Sequence, residues 1–373
     1  MARILVLGGA GEMGSVAVAD LFARTDHDVA VGDVRPDAAA VLGGRLGRDV
    51  PVRHVDVEDV ASLAAALTGV DVVLNATYMR TNVAVARAAI DAGVHLVDLG
   101  SYYPETLQQL DLHDDAVRAG SRVVPGCGVA PGLTNVLARE AFERLDRLEA
   151  VSMYSYITHP MTTSPGIVVT RLDASTGTSL VWCDGVLEER PSLSGDEEVE
   201  FSAPYGRRHV HLVPHPEPVT LPRYLPGLRD VVFKVGYPAD ENRRIAVLLE
   251  LGFDREEPFV LDGAPVSPRA FAAEYVGRRG IASGARSANV KRVVADGDRG
   301  GGRVRLVYDF AVEQEGASAS SVVTGTFAAV AADLVAQGGS PGVLPPEAGL
   351  PAGAVLEALA ERGLHVRRSE QPL

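Results

Sequence analysis

The chain reads as an α/β protein: a Rossmann-type doubly wound parallel sheet followed by a second α+β domain on a mixed sheet. Three observations predict this. The amino terminus runs from a short apolar strand into a glycine-rich turn. A β/α alternation then continues as far as Val124, and a strand-rich rhythm follows residue 135. At 373 residues the chain exceeds one comfortable hydrophobic core, so more than one domain is expected. The rhythm places boundaries at 1–135, 136–323 and 324–373, the last a helical tail.

Arg3–Leu7 is a short apolar run ending in glycines, the pattern of a buried parallel strand. Gly14–Arg24 sets Val16, Val18, Ala19, Leu21 and Phe22 at helical spacing. Asp28–Gly32 and Val52–Val55 read as the second and third strands. Val60–Leu67 is a helix, Asp71–Asn75 a fourth strand, Val83–Ala92 a helix and His95–Leu99 a fifth strand. Leu107–Ala119 reads as one helix and Arg122–Val124 as a sixth strand. Such alternation implies right-handed crossovers.

Asn135–Phe142 is a helix leading out of the first domain. From Ala150 to Val323 the pattern is strand-rich, with turns at Ser164-Pro165-Gly166, Asp184-Gly185 and Pro226-Gly227. Asp296–Gly302, glycines and aspartates around Arg299, reads as a flexible hairpin tip or poorly ordered loop. Thr324–Gln337 and Ala352–Arg362 are helices and Leu364–Arg367 a short strand; no internal repeat is evident.

Hydrophobic residues make up 46% and charged residues 23%, the balance of a soluble globular chain. The formal net charge is −14, from 49 acidic and 35 basic side chains, which repels phosphate backbones and argues against nucleic-acid binding. The basic pairs Arg207-Arg208, Arg243-Arg244 and Arg278-Arg279 are too short to form a groove. Two cysteines, Cys127 and Cys183, do not make a secreted disulfide framework. Met1-Ala2-Arg3 runs straight into a strand with no signal-peptide pattern. The Ala-rich run 325–336 is too short for a membrane span and contains Asp333. A cytoplasmic location and no membrane partner are therefore expected.

The segment Gly8-Gly9-Ala10-Gly11-Glu12-Met13-Gly14 satisfies both G-x-G-x-x-G and G-x-x-G-x-x-G. Its glycines serve a tight turn, a close backbone approach to pyrophosphate and helix–strand packing. The flanking strand and helix supply the required context, and the helix N-terminus offers free N–H groups to the phosphates. Asp33 lies 22 residues beyond Gly11, where a carboxylate accepts from ribose hydroxyls and repels a 2′-phosphate. That favours NAD as cofactor; Arg35, which is suited to a 2′-phosphate, keeps NADP as the alternative. Asp56 ends the third strand and bounds an adenine pocket or forms a turn. Asn75-Ala76-Thr77 lies where backbone passes the nicotinamide ribose, and has the same alternative.

Three phrases carry a family resemblance: Asn75-Ala76-Thr77-Tyr78, Ala92-Gly93-Val94-His95-Leu96-Val97-Asp98-Leu99-Gly100, and Pro125-Gly126-Cys127-Gly128-Val129-Ala130-Pro131-Gly132-Leu133. Together they resemble the saccharopine dehydrogenase family. Gly126–Asn135 and the tail phrase Gly342–Glu347 resemble its lysine 6-dehydrogenase branch. The resemblance covers the first 135 residues best and the middle of the chain least. It implies an enzyme that moves hydride between a nicotinamide cofactor and a carbon–nitrogen bond of an amino acid. It also implies a second domain for substrate binding and dimerisation, terminal helices that return to the first domain, and a homodimer.

Oxidation requires a neutral amine, because a protonated nitrogen has no lone pair for the developing iminium; the cofactor carries the hydride and the protein manages protons. The resemblance places Asp98, Cys127 and Tyr78 at the reaction: Asp98 to orient the amine or shuttle its proton, Cys127 to shape the pocket, Tyr78 to hold substrate. Each has a plain alternative: a loop cap, a small buried residue, a wall. His209, His211, His215 and Glu217 are of zinc-ligand type, but their spacing is no metal signature, and no metal is expected. His215 or Glu217 is expected to line the substrate cleft instead. A substrate carboxylate calls for an arginine fork; Arg223, beside Tyr224, is the first choice, followed by Arg171 and Lys234, with His159 as a further cleft residue.

The leading reading is oxidative deamination of lysine or a related diamino acid, the partner being a small amino acid or diamine. The runner-up is a saccharopine-, opine- or carboxynorspermidine-type imine reductase. A different class, a non-catalytic NAD(P)-sensing or scaffold protein, is argued against by the presence of Tyr78, Asp98 and Cys127.

Overall fold

A computed structural model describes residues 1–100, 102–158, 164–278 and 285–373. In the first sheet β1 (Arg3–Leu7), β2 (Asp28–Asp33), β3 (Val52–His54), β4 (Val72–Asn75), β5 (His95–Asp98) and β6 (Arg122–Val124) all run parallel. Their order is β6-β5-β4-β1-β2-β3, so the crossover direction reverses between β1 and β4 and opens a crevice at the carboxyl edge. Ile4 to Leu7 and Val72 to Leu74 are completely or almost completely buried, as strands covered on both faces must be.

The helices of this half are α1 (Glu12–Arg24), α2 (Pro36–Leu46), α3 (Val60–Leu67), α4 (Asn82–Asp91), α5 (Tyr103–Leu110) and α6 (His113–Ala119). The expected single helix 107–119 is thus two. The break at 111–112 lets α5 begin earlier, with Pro104 in its first turn. Helix α2 was not expected; its run of alanines and glycines carries little periodic pattern, and Pro36 starts it.

Helix α7 (Leu133–Arg144) leads into the second sheet. There β7 (Arg147–Ile157) pairs with a long hairpin of β15 (Arg286–Arg299) and β16 (Gly302–Glu315). The expected hairpin tip at 296–302 is there, and pairing continues to Arg299 and Gly302, so the turn is tight rather than loose. On the other side β12 (Asp230–Gly236) runs parallel to β7 and joins β11 (Gly206–Leu212), which carries β10 (Glu197–Phe201). A hairpin of β8 (Thr178–Cys183) and β9 (Val186–Pro191) attaches to β12. β13 (Phe259–Leu261) and β14 (Ala264–Val266) form a separate hairpin.

Four helices interrupt this strand-rich stretch: α8 (Pro165–Ala174), α9 (Glu217–Tyr224), α10 (Ala239–Glu250) and α11 (Pro268–Gly277). The expected turn at Ser164-Pro165-Gly166 is the start of α8: the Ser164 hydroxyl accepts from the Ile167 N–H, and proline is tolerated in a first helical turn.

The tail serves both sheets. Helix α12 (Ala319–Gln337) packs on α1, β4 and β5 and also on β15 and β16. It is long and apolar enough to cross a membrane by composition, but most of it is buried in the core that joins the two sheets. β17 (Gly342–Val343) extends the first sheet beside β6. After α13 (Pro346–Gly349) and α14 (Ala352–Glu361), β18 (Arg367–Pro372) pairs with β16. The expected strand 364–367 lies further along, where alternating polar residues suit an exposed edge.

Candidate active site

The glycine-rich turn joins β1 to α1. A Cβ on Gly14 would lie 2.3 Å from the Gly8 carbonyl oxygen and 2.9 Å from the Gly9 Cα, so only glycine lets the turn close on the helix. The N–H groups of Glu12, Met13 and Gly14 have no hydrogen-bond partner among the described residues, and Gly11 caps the helix without a side chain. This is a cradle for a diphosphate: free donors at the positive end of a helix, with no side chain in the way. Asp33, at the carboxyl end of β2, is buried beside it. Its carboxylate accepts from the Ala10 N–H at 3.3 Å and the Arg35 N–H at 3.0 Å, while the Arg35 side chain extends into solvent. Asp56 closes a turn after β3, its Oδ1 accepting from the Glu58 N–H at 2.9 Å.

The ends of β4 and β5 are tied by side chains. Asn75 Oδ1 accepts from the Thr77 N–H and hydroxyl, and its amide donates to Asn82, which in turn donates to the Gly100 carbonyl. Ala76 packs its carbonyl against Gly8. These three residues therefore hold the crevice floor in shape.

Asp98 does not open to the crevice. It is 0% exposed, and its oxygens accept from the N–H groups of Gly100 (2.8 Å) and Gly126 (2.9 Å) and from the Gln109 amide (2.7 Å). Burial raises its pKa against the pull of these donors. Cys127 is likewise buried, its thiol on the Val124 carbonyl, and burial pushes its pKa well above the usual thiol value. Both residues shape the loop 126–132, which turns through Gly132 at φ +132°, where a Cβ would collide with the Gly128 carbonyl. Asp98 and Cys127, expected at the reaction, are thus both buried at the carboxyl ends of β5 and β6, where they bond to the loop backbone.

Tyr78 does reach the opening between the domains. Its hydroxyl donates to Asp173 Oδ2 at 3.3 Å on α8, and burial raises its pKa, so it stays a phenol at neutral pH. Asp173 also pairs with Arg269, and Arg80 pairs with Glu256 at 2.9 Å. Next to this seam lies a cleft of about 190 Å³, with Arg80, Tyr102, Glu105, Asp173 and Pro214 among its walls. Tyr102 donates to the Thr170 carbonyl at 2.7 Å and is held protonated by burial.

Of the candidate arginines, Arg171 is buried on α8, its guanidinium 3.1 Å above the Tyr237 ring centroid, with no carboxylate paired to it among the described residues. Arg223 is exposed on α9, and Lys234 pairs with Glu197 at 2.7 Å. His159 and Arg279 lie outside the described residues. His209 and His211 share one face of β11, but both turn to Asp196, and His215 lies elsewhere. Among the described residues no group of three or more His, Cys, Asp or Glu is arranged to hold a metal.

Behind the cleft is a buried polar cluster. His215 stacks on Phe233, ring centroids 3.7 Å apart, and bonds through Nδ1 to Glu217 Oε2. Glu217 Oε1 accepts from the Thr134 hydroxyl at 2.8 Å. Lys291 donates to the Ser155 hydroxyl, and burial lowers its pKa to about 7. Glu347 accepts from the Asn135 amide at 2.9 Å, and burial raises its pKa to about 7. Sequence reasoning named His215 and Glu217 and missed Asp173, Tyr102, Tyr237, Lys291 and Glu347. The signal for Lys291 was a lysine inside the valine-rich run 290–294, and for Tyr102 its place just past β5.

Comparison with known proteins agrees with this architecture. Residues 4–124 match the model of the saccharopine dehydrogenase NADP binding domain and residues 128–364 that of the saccharopine dehydrogenase C-terminal domain. A carboxyaminopropylagmatine dehydrogenase from Synechocystis sp. is 24% identical over 292 residues, 73% of this chain and 71% of the relative. Among solved structures, apo saccharopine dehydrogenase (L-Glu forming) from Saccharomyces cerevisiae superposes over 100% of both chains, with a TM-score of 0.76 at 16% identity.

Proposed function

The chain belongs to the saccharopine dehydrogenase family, as an NAD(P)-dependent oxidoreductase acting on amino-acid-related substrates, and from that premise we propose that it works at a C–N bond of an amine that also carries a carboxylate. Arg171 carries this reading. A buried guanidinium with one face on an aromatic ring and no counter-charge is costly to maintain, and a substrate carboxylate is its natural partner. Tyr237, on which it stacks, is close enough to act electrostatically on Tyr102 at the cleft wall.

The bound nicotinamide supplies the hydride chemistry. The chain holds the dinucleotide through the amides of 12–14 and the Asp33 carboxylate, and orients the substrate through Arg171, with Tyr78 and Tyr102 at the opening. Asp33 favours NAD, since a carboxylate in that place repels a 2′-phosphate.

Two substrate forms fit. In one, lysine or a related diamino acid loses its amine by oxidation. In the other, a secondary amine is made or cleaved, and the names of both relatives favour it. The test mixes purified protein with NAD or NADP and, in turn, lysine, ornithine, saccharopine and carboxyaminopropylagmatine, following nicotinamide absorbance. The reverse direction uses a carbonyl acid, an amine and reduced cofactor. Ammonia release marks the first form, and a cleaved amine without ammonia the second. Absence of turnover in both directions with every pair would overturn the proposal.

A further inference from the structure

Four ionisable side chains from three elements and one loop meet beneath the cleft, and the reading above gives them no work: His215, Glu217, Lys291 and Glu347. His215 is built as an oriented base. Stacking on Phe233 at an interplanar angle of 13° fixes the ring plane, and the bond from Nδ1 to the fully buried Glu217 fixes its rotation. Glu217 is itself anchored by Thr134, in the first turn of α7. An imidazole that gives its Nδ1 proton to a carboxylate presents the lone pair at Nε2. His215 Nε2 has no partner among the described residues and is not among their buried orphan atoms, so it is the nitrogen that meets solvent. Pro214, the residue before it, lines the cleft.

We propose that His215 Nε2 takes the proton from the substrate amine, and that Glu217 is the positioning residue that holds His215 in the required tautomer. This rests on the amine-dehydrogenase reading. The substrate ammonium gives one proton to Nε2, and the N–H electron pair stays on nitrogen. That lone pair forms the C=N bond as the C–H bond breaks and its two electrons leave with the hydride to oxidised NAD(P). The amine is oxidised by two electrons, the nicotinamide is reduced, and the imidazolium is neutralised by Glu217.

The charges around the dyad fit this task. Lys291 faces it from β15 and Glu347 from α13, while β12 presents Phe233 and α7 presents Thr134 and Asn135. Burial lowers the Lys291 pKa and raises that of Glu347, each to about 7, so burial disfavours a full charge on either beside the dyad.

The test uses the full chain as wild type, His215→Gln and Glu217→Gln, with His215→Asn in reserve if the first variant fails to fold. Two readouts are taken: kcat/KM against pH with the best amine, and the His215 tautomer by NMR without cofactor. In wild type, kcat/KM should fall on the acid side with a single ionisation, and the Nδ1–H tautomer should dominate. His215→Gln should lose at least about 100-fold at neutral pH, keep its affinity for NADH, and recover as pH rises toward the pKa of the free amine. Glu217→Gln should release the His215 tautomer, because the carboxylate acceptor of its Nδ1 proton is gone, and lower kcat at neutral pH by about 10-fold or more. Activity of His215→Gln within about threefold of wild type, with the limb intact, would sink this inference and leave the amine reading standing. So would a His215 tautomer unchanged by Glu217→Gln. No amine turnover by wild type would overturn both.

Discussion

Along the carboxyl edge of the first sheet the ligand-facing groups are backbone amides and small residues from one continuous stretch, 8–14, with Asp33 added from the next strand. Beneath the second domain the polar groups are instead buried side chains from α7, the loop at 215, α9, β7, β15 and α13. The first construction depends on what is absent, since any Cβ at Gly14 fills the space. The second depends on ionisable groups kept at low exposure by one His215–Glu217 pair and by hydrogen bonds to neutral partners. One tolerates no added bulk, and the other tolerates no unbalanced charge.

The sharpest way to break this contrast is to remove a charge. Lys291 has a pKa of 10.5 unfolded and about 7 folded, with burial the cause and Glu217 opposing it. Between those values the unfolded chain binds the extra proton, so stability rises with pH from 7 to 10.5 and the cost is complete below 7. At about 1.4 kcal/mol per pH unit this comes to several kcal/mol. In Lys291→Met that rise should vanish, as read from urea midpoints across the interval. Glu347 has the opposite sign: its folded value near 7 exceeds 4.5, so its contribution is lost as pH climbs from 4.5 through 7. Glu347→Gln should remove that fall. Equal slopes in wild type and Lys291→Met would mean that the lysine is solvated and the cluster is not the closed unit described.

The opposite half breaks by adding bulk. Gly14→Val must push back the Gly8 carbonyl, which a new Cβ would approach to 2.3 Å, and with it the turn that presents the amides of 12–14. NADH affinity, followed by fluorescence, should fall by at least about 100-fold, near 3 kcal/mol at 1.4 kcal/mol per tenfold, while the pH slopes of the buried cluster stay as in wild type. A variant that still binds NADH normally would show that the cradle is not the phosphate site.

The same contrast explains what could be read from sequence. The cofactor half is local: strand, glycines, helix and acidic residue succeed one another within 33 residues, so spacing alone exposed it. The strands of the first sheet were legible for the same reason, being apolar runs covered on both faces. The second domain pairs β7 with β12 and β15, about 80 and 140 residues away, and no local pattern encodes such partners. Asn135 and Glu347 meet across 212 positions. Asp98 and Cys127 were placed at the reaction by resemblance, and a position at the strand end does not reveal that both side chains are buried. Arg171 outranks Arg223 only once burial is known.

Tyr78 stands at the seam between the two constructions and gives the smallest expected effect. Its hydroxyl makes one hydrogen bond of 3.3 Å to Asp173, and the side chain is 38% exposed. Asp173 keeps its pairing with Arg269 if that bond is lost. A single partly exposed bond to an otherwise paired carboxylate is worth at most about 1 kcal/mol. Tyr78→Phe should therefore lower kcat/KM by no more than about fivefold and leave melting unchanged. The role implied by the family resemblance, holding the substrate, demands more, since a hydrogen bond to a charged group is worth about 1.5–3 kcal/mol. A large loss confined to kcat, with the pH profile altered, would move the proton chemistry from His215 to Tyr78. A small loss confined to KM would keep Tyr78 as a wall that closes the cleft against α8.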